Sequence, residues 1–142
     1  MGVNLYNSEG YLDPTAYEAL KNIEKEKKLN PNRKIVFVCS PFAGDIEGNI
    51  ARAKRYGRFA VTEKAIPFAP HLLFPQFLNE EDPEERELGI QMGLVLLSKC
   101  EELWVFGSRV SSGMALEIEK AKKLKMPIRY FNIHCKEVGG MK

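Results

Sequence analysis

The sequence predicts an α/β protein in which a mainly parallel sheet carries helices on both faces. Between residues 34 and 131, short apolar runs alternate with segments of helical periodicity, and the run at residues 34–39 (KIVFVC) is almost continuous. Continuous apolar runs are typical of strands that are buried on both faces of a parallel sheet. The alternation favours right-handed crossovers through helices, and the length fits one domain with a core of its own.

The predicted elements follow one another closely. We predict strands at residues 34–39, 65–70, 103–106 and 127–131. We predict helices at residues 49–64, 83–99 and 112–125. Pro70 ends the second strand, and Asp82 followed by Pro83 is a capped helix start. The chain from His71 to Asp82 is expected to be irregular, and the tail after Asn132 is expected to be loosely held.

Residues 1–33 differ from the rest and are predicted to be an N-terminal helical extension of a domain at residues 34–142. Residues 15–28 have a helical and strongly charged pattern. This helix would pack on the outside of the domain, form an oligomer contact, or be partly mobile.

Composition limits the partners that the chain is expected to have. The formal net charge of +2 is too small to indicate a nucleic acid polymer. The densest basic run favours a solvated helix face over a phosphate-binding patch; it consists of Arg52, Lys54, Arg55 and Arg58. Apolar surroundings predict that Cys39 and Cys100 are core thiols.

Neither a metal nor a cofactor is expected. The three cysteines have no CxxC spacing and indicate neither a disulfide framework nor a zinc site. No signal peptide is visible, and no apolar stretch approaches membrane-spanning length. These observations favour a cytoplasmic protein with no membrane partner.

Three predicted loops follow strands, at residues 40–49, 70–82 and 107–112. In open parallel sheets, ligands bind beyond the carboxyl ends of the strands. We therefore expect the three loops to converge on one pocket.

Glu117 is the leading candidate for a catalytic residue. An apolar stripe runs along the helix after Ser112, and it consists of Met114, Ile118, Ala121 and Leu124. Glu117 falls inside this stripe, and an inward carboxylate is costly unless it is paired or used. Free N–H groups and the macrodipole near the helix start are expected to favour its ionised form, which a nucleophile or ligand clamp needs. The alternative is an ion pair, with Arg86 as a possible partner.

Small residues precede the same helix. Ser111, Ser112 and Gly113 can cap the helix or bind an anion, and the two roles overlap because a cap uses one N–H group and leaves others free. Capping accounts for only one serine, and glycine in the first turn costs stability relative to alanine. Close approach of a ligand explains the glycine.

The loop after the first strand contains Ser40, Pro41, Phe42, Gly44 and Asp45. Its backbone amides can hold a phosphate or sugar oxygen, and Phe42 offers a flat face for a base. An ordinary strand-to-helix connection is the alternative. Asp45 either bonds sugar hydroxyls or caps the next helix. Neither a P-loop nor a GxGxxG pattern is present.

His71 follows the second strand and either contacts ligand, transfers a proton or has a structural role. Arg86 and Glu87, near the start of their helix, are more typical of surface charges.

These motifs together resemble the nucleoside 2-deoxyribosyltransferase superfamily, which includes deoxynucleoside 5′-monophosphate N-glycosidases. The resemblance covers residues 34–131 and is closest to a poorly characterised bacterial and phage branch of unknown-function domains. It rests on residues 38–42 (VCSPF), on Pro70 with His71, and on residues 111–117 (SSGMALE), which are the most specific.

The resemblance implies a flavodoxin/Rossmann-like three-layer sandwich with a mainly parallel sheet of four or five strands. It also implies that Glu117 attacks the anomeric carbon of a small-molecule nucleoside or nucleotide, and that water or a second base then takes the sugar. Ser111 and Gly113 would contact the sugar or its 5′-phosphate. The predicted substrate-binding residues are Ser40, Pro41, Phe42, Asp45, His71, Ser111, Ser112, Gly113 and Met114.

Two departures from the superfamily pattern leave alternatives open. Transferases often carry a tyrosine near the position of Phe37, whose hydroxyl orients the nucleophile. They also often carry an aspartate near the position of Gly93, which protonates or holds the base. Here the base-handling group is missing, or it is supplied by His71, Asp45, Glu87 or a neighbouring subunit.

The leading hypothesis is therefore cleavage or transfer at an N-glycosidic bond. The alternative is a protein that binds a nucleotide or a nucleotide-derived signal without chemistry, which both departures favour. A weaker third hypothesis is hydrolysis of nicotinamide dinucleotide, because related folds use a glutamate there too. The resemblance also implies a homo-oligomer. From the sequence pattern, we predict that the charged N-terminal helix and the apolar residues 72–78 (LLFPQFL) form its contact surface.

Overall fold

The computed structural model describes residues 32–139. The predicted N-terminal extension, with its helix at residues 15–28, lies outside the described residues except for residues 32 and 33. Within the described range, no helix is both long enough and apolar enough to cross a membrane.

The described chain forms one five-stranded sheet with helices between its strands. The strands are β1 (Lys34–Cys39), β2 (Ala65–Phe68), β3 (Glu102–Phe106), β4 (Ile128–Phe131) and β5 (Glu137–Val138). The helices are α1 (Ile46–Thr62), α2 (Pro70–Leu73), α3 (Pro83–Leu97) and α4 (Ser112–Lys123). The strand order is β2-β1-β3-β4-β5, with parallel pairs throughout except the antiparallel pair of β4 and β5. The predicted α/β class and mainly parallel sheet are confirmed.

Apolar side chains from both faces of the sheet form two cores. On the α1 side, Val36 and Val38 of β1 pack in one cluster with Tyr56. On the opposite side, Phe37 and Cys39 pack in a second cluster, which includes residues of α3 and α4. Alternate residues of one strand thus enter different cores. This two-sided burial is the physical reason for the continuous apolar run at residues 34–39.

The central strands end at the same edge of the sheet. Cys39 at the end of β1 pairs in register with Val105 of β3, whose neighbour Phe106 pairs with Phe131 of β4. The loops that follow β1 and β3 therefore leave from neighbouring points, and side chains from these loops lie side by side.

Two local predictions were wrong. The chain from His71 to Asp82 is not wholly irregular, because α2 starts at Pro70 and a 3₁₀ turn follows at Phe74–Gln76. Proline has a fixed φ and no N–H to leave unsatisfied, so it suits a first helical position.

Within the described residues, the chain after Asn132 is also more ordered than predicted. It turns back and adds β5 to the sheet edge, where Tyr130 pairs with Val138. Arg129 holds the pair through two bonds to the Glu137 carboxylate, at 2.9 and 2.7 Å. A bidentate ion pair of this kind is among the stronger surface contacts.

Candidate functional site

A cavity of about 450 Å³ lies beyond the end of β1, between its loop and the starts of α3 and α4. Phe42 comes from the loop after β1, and His71 comes from α2. Residues 111–114 and Glu117 come from the start of α4, and α3 closes the remaining side. The three segments that follow the strands thus contribute to one cavity.

Glu117 lies in the wall of this cavity, in the second turn of α4. Its side chain is half-buried, because the cavity reaches it, but protein surrounds the carboxyl group on nearly every side. This burial raises the pKa of Glu117 to about 7, and the neighbouring Cys39 thiol opposes the rise. Among residues 32–139, no lysine or arginine forms an ion pair with Glu117.

The expectation that the helix start would favour the ionised form of Glu117 was wrong. The influence of a helix N-terminus falls off within its first turn, and Glu117 lies beyond that turn. The N–H of Met114, in the first turn, already donates to the Ser111 hydroxyl at 3.2 Å. Burial is therefore the larger effect on the carboxyl group. The alternative partner Arg86 lies near Glu80 instead, where burial raises the pKa of Glu80 and the Arg86 charge partly offsets that rise.

Cys39 lies in the core and interacts with Glu117. It is fully buried, and its thiol lies 3.9 Å from the carbonyl oxygen of Met114. Burial and the nearby Glu117 carboxylate hold the pKa of the Cys39 thiol well above its ordinary value. The thiol therefore keeps its proton and can donate to Glu117. Phe37 lies in the same core with its ring 5.4 Å from that of Phe68, and it supplies no polar group.

Phe42 and His71 form an aromatic pair in the cavity wall, with ring centroids 5.0 Å apart and planes inclined by 31°. His71 Nε2 lies 2.9 Å from the carbonyl oxygen of Ser40. Because a carbonyl can only accept, Nε2 is the protonated nitrogen. Burial lowers the pKa of His71 more than the Ser40 bond raises it. The ring is therefore neutral at neutral pH, with Nδ1 as an acceptor.

The start of α4 separates a capping residue from residues that line open space. Ser111 is the N-cap, through its bond to the Met114 N–H. Ser112 and Gly113 line the cavity, and a Cβ at Gly113 would meet nothing within 4 Å. Packing therefore does not require a glycine there. Met114 is 1% exposed and packs mainly in the core, so it offers little surface to a ligand.

Three of the predicted substrate-binding residues lie apart from this cavity. Asp45 caps α1 by accepting from the Gly48 N–H at 3.1 Å, and it pairs with Arg52 at 3.4 Å. Asp45 and Pro41 line a second cavity of about 490 Å³. Ser40 lines neither cavity and contributes its carbonyl oxygen to His71. The loop after β1 thus passes between two cavities, and of its residues only Phe42 and Ala43 line the first.

Charged residues that the sequence interpretation missed or discounted also line the first cavity. Glu80 was not singled out, because it lies in the polar run at residues 79–82 (NEED), where nothing distinguishes one carboxylate from another. Its burial raises its pKa. Arg86 and Glu87, expected to be surface charges, line the cavity as well. With Glu117, the wall carries three carboxyl groups and one guanidinium.

Comparisons with known proteins agree with the fold. A family model described as Domain of unknown function (DUF7768) matches residues 34–131. No curated protein matches the chain in sequence. A 2-deoxyribosyltransferase from the psychrotolerant bacterium Bacillus psychrosaccharolyticus is similar in structure, with a TM-score of 0.59, 14% identity and 76% of each chain covered.

A 2-deoxyribosyltransferase from Leishmania mexicana is also similar, with a TM-score of 0.50 and 15% identity. That match covers 70% of this chain and 64% of the Leishmania chain. At these identities the two likenesses show a common fold.

Proposed function

We propose that this protein, which belongs to the DUF7768 family, cleaves or transfers the N-glycosidic bond of a nucleoside or nucleotide, with Glu117 as the nucleophile. The position of Glu117 carries the proposal: its carboxyl group lies in the wall of a cavity of about 450 Å³ without an ion-pair partner in the described chain. Cavities of this size suit small molecules. The fold shared with two 2-deoxyribosyltransferases supports this class of reaction.

The proposed reaction has two steps at one carbon. An oxygen of ionised Glu117 bonds to the anomeric carbon while the carbon–nitrogen bond breaks, and the bonding electrons leave with the base, which takes up a proton. Water or a second base then attacks the same carbon, and the ester bond to Glu117 breaks. Both transition states resemble an oxocarbenium ion, which the adjacent carboxylate stabilises.

The pKa of Glu117 suits this role. With a pKa of about 7, a substantial fraction of Glu117 is ionised at neutral pH. Burial removes part of the water around the carboxylate, so less solvent must be displaced before it attacks. The thiol of Cys39 supports the ionised form.

We assign the base to the space beside Phe42 and His71. Their rings offer flat faces, and the neutral His71 has an acceptor nitrogen for an amino group of the base. A neutral imidazole that already donates to Ser40 is a poor proton source for the leaving base. Glu80 fits that role better, because it lines the same cavity and burial raises its pKa, although the charge of Arg86 offsets part of that rise. Glu80 would then replace the acid that is absent near Gly93.

A second candidate function is binding of a nucleotide without chemistry. The observation that favours it is Phe37, whose ring packs in the core and gives Glu117 no hydroxyl partner. This alternative and the enzymatic proposal differ in one product, the free base.

The test is incubation with a panel of deoxyribonucleosides, ribonucleosides and their 5′-monophosphates, read by chromatography for free base. We expect release by the wild type and none by Glu117→Ala, with Glu119→Ala as the matched control. Glu119 is an exposed carboxylate of the same helix that pairs with Lys123 at 3.4 Å. Equal release by Glu117→Ala and the wild type would contradict the proposal. Thermal stabilisation by nucleotides without product would favour the binding alternative.

We also propose that the protein forms a homo-oligomer through the surface at residues 72–78. Two large apolar side chains of this segment are exposed, Leu73 by 42% and Phe77 by 62%. Apolar groups this exposed are candidates for a contact between subunits. Light scattering of the wild type and of Phe77→Ser tests this: a monomeric mass for the wild type at high concentration would contradict it.

A further inference from the structure

The second cavity lies next to the first, and the two share Ala43 and Ser111 in their walls. It lies on the α1 side of the sheet, between the loop that follows β1 and the loop that follows β3. Part of its wall is a stacked aromatic pair, Tyr56 and Phe106, with ring centroids 4.2 Å apart and an interplanar angle of 11°. The stack fixes the Tyr56 ring in place.

The Tyr56 hydroxyl has no hydrogen-bond partner in the described chain, although the residue is only 2% exposed. Its hydroxyl is not among the fully enclosed orphan polar atoms, so the residual exposure includes the hydroxyl, and Tyr56 lines this cavity. Hydroxyls in protein interiors are almost always paired, and since no described protein group bonds this one, its partner must come from the cavity. Burial raises the pKa of Tyr56, so the group is neutral and can donate. A ligand in the cavity would satisfy it.

The two cavities differ in the charge of the residues that line them. The wall of the second contains Arg52, Arg109 and one carboxylate, Asp45, which is already bonded to the Gly48 N–H and to Arg52. Arg109 has no ion pair within the described chain. The first cavity carries more carboxyl groups than cations. A dianion would therefore be repelled from the first cavity and attracted to the second.

We propose that the second cavity binds a phosphate group, through the guanidinium groups of Arg109 and Arg52 and the hydroxyl of Tyr56. Guanidinium groups match the oxygens of phosphate in geometry and charge. The phosphate has two possible sources. It is the phosphate of a nucleotide whose sugar lies beside Glu117, across the shared wall at Ser111, an assignment that rests on the proposed function. Otherwise it belongs to a separate phosphorylated molecule.

The predicted solvated helix face agrees with the exposure of Lys54, Arg55 and Arg58, which line neither cavity. Arg52 differs from them, because it lines the second cavity and also donates to Asn49 at 2.8 Å. This contact holds the Arg52 guanidinium at the wall.

Binding of inorganic phosphate, measured by calorimetry at fixed ionic strength, tests the site without reference to catalysis. We expect Arg109→Gln to weaken binding about tenfold or more, as loss of a charge-assisted hydrogen bond does. Tyr56→Phe keeps the ring stack and should weaken binding several-fold. Arg58→Gln removes the same charge outside the cavities and should leave binding nearly unchanged. Absence of phosphate binding by the wild type, or equal affinities of Arg109→Gln and Arg58→Gln, would overturn the proposal.

A second arm distinguishes the sources. If Arg109→Gln raises the KM for a deoxynucleoside 5′-monophosphate about tenfold and leaves that for the deoxynucleoside unchanged, the phosphate belongs to the substrate. If both KM values are unchanged while phosphate binding is lost, the site serves a separate phosphorylated molecule. If phosphate binds in the Arg109-dependent way but no base is released by the wild type, the proposed function fails and the phosphate site remains.

Discussion

The Nε2 atom of His71 lies 2.9 Å from the carbonyl oxygen of Ser40, and this contact determines the form of imidazole in the cavity. The bond requires a proton on Nε2. Burial disfavours a second proton on Nδ1 and lowers the pKa of His71. The ring in the cavity wall is therefore neutral, and its Nδ1 atom is free to accept a hydrogen bond.

Nitrogen-15 NMR can check this tautomer directly. We predict that His71 is the Nε2–H tautomer at pH 7 and that it titrates below its ordinary pKa of 6.5. The His71→Gln variant identifies its signal. A ring that is doubly protonated at pH 7, or one that carries its proton on Nδ1, would be incompatible with the Ser40 contact.

The buried carboxyl of Glu117 should make stability depend on pH. Its pKa rises from 4.5 in the unfolded chain to about 7 in the folded protein. The folded state thus binds the proton more tightly, so the free energy of unfolding falls as pH rises from about 4.5 to 7. The loss is up to about 3 kcal/mol, and less where solvent reaches the carboxyl through the cavity.

The Glu117→Gln variant, which cannot ionise, should escape this loss. We predict that it gains stability over the wild type at pH 8 relative to pH 4.5, measured by denaturant unfolding at each pH. Glu119→Gln, on the exposed side of the same helix, serves as the control. Equal pH profiles for the wild type and Glu117→Gln would show that the carboxyl is not buried as described.

Substitution of Gly113 by alanine should raise the stability of the protein and lower its activity or ligand binding. Since its Cβ would meet nothing within 4 Å, Gly113→Ala should fold normally and gain part of the roughly 0.5–1 kcal/mol by which alanine exceeds glycine in a helix. The added methyl group enters the cavity, so base release or nucleotide binding should fall.

The matched control for that variant is Gly57→Ala. Gly57 is a helical glycine of α1 whose Cβ would lie 3.9 Å from Pro67, outside both cavities. It should gain stability with unchanged ligand binding. If Gly113→Ala were as active as Gly57→Ala, ligand would not approach the start of α4 closely.

Cys39 should act on the ionisation of Glu117. Because the thiol opposes the rise in the pKa of Glu117, Cys39→Ala should move that pKa further up. The carboxyl stretching bands in a pH-dependent infrared difference spectrum measure it without requiring activity. Cys39→Ser keeps a donor and should restore most of the wild-type value, and Cys100→Ala should have no effect. An unchanged pKa of Glu117 in Cys39→Ala would show that the thiol does not act on the carboxyl group.

The sheet was predictable because the sequence of each central strand indicates a strand without knowledge of the rest of the chain. Strands β1 and β3 are buried on both faces, so their sequences are short apolar runs that can be read without knowing their neighbours. Strand β5 was not predictable in this way. It has two residues, and it exists because β4 offers it an edge and Arg129 offers its carboxylate a partner.

The properties of the two cavities could be predicted only in part, because they depend on segments that are distant in sequence. The helical stripe predicted that Glu117 faces inward, yet its ionisation depends on how closely other segments surround it. Glu80 gave no signal, because its burial depends on the path of the chain between α2 and α3. Asp45 gave an ambiguous signal, since a capping aspartate and a sugar-binding aspartate have the same place in sequence.

The most direct test of the central proposal is to trap the bond between Glu117 and a sugar. A 2′-fluorinated nucleoside analogue slows both steps by destabilising the oxocarbenium ion, which allows the glycosyl ester to accumulate. Intact mass spectrometry of the wild type should show the added mass of one fluorodeoxyribosyl group, located on Glu117 by peptide mapping and absent from Glu117→Gln. Release of base by the wild type with no such adduct, or with an adduct on another residue, would contradict the assignment of Glu117 as nucleophile.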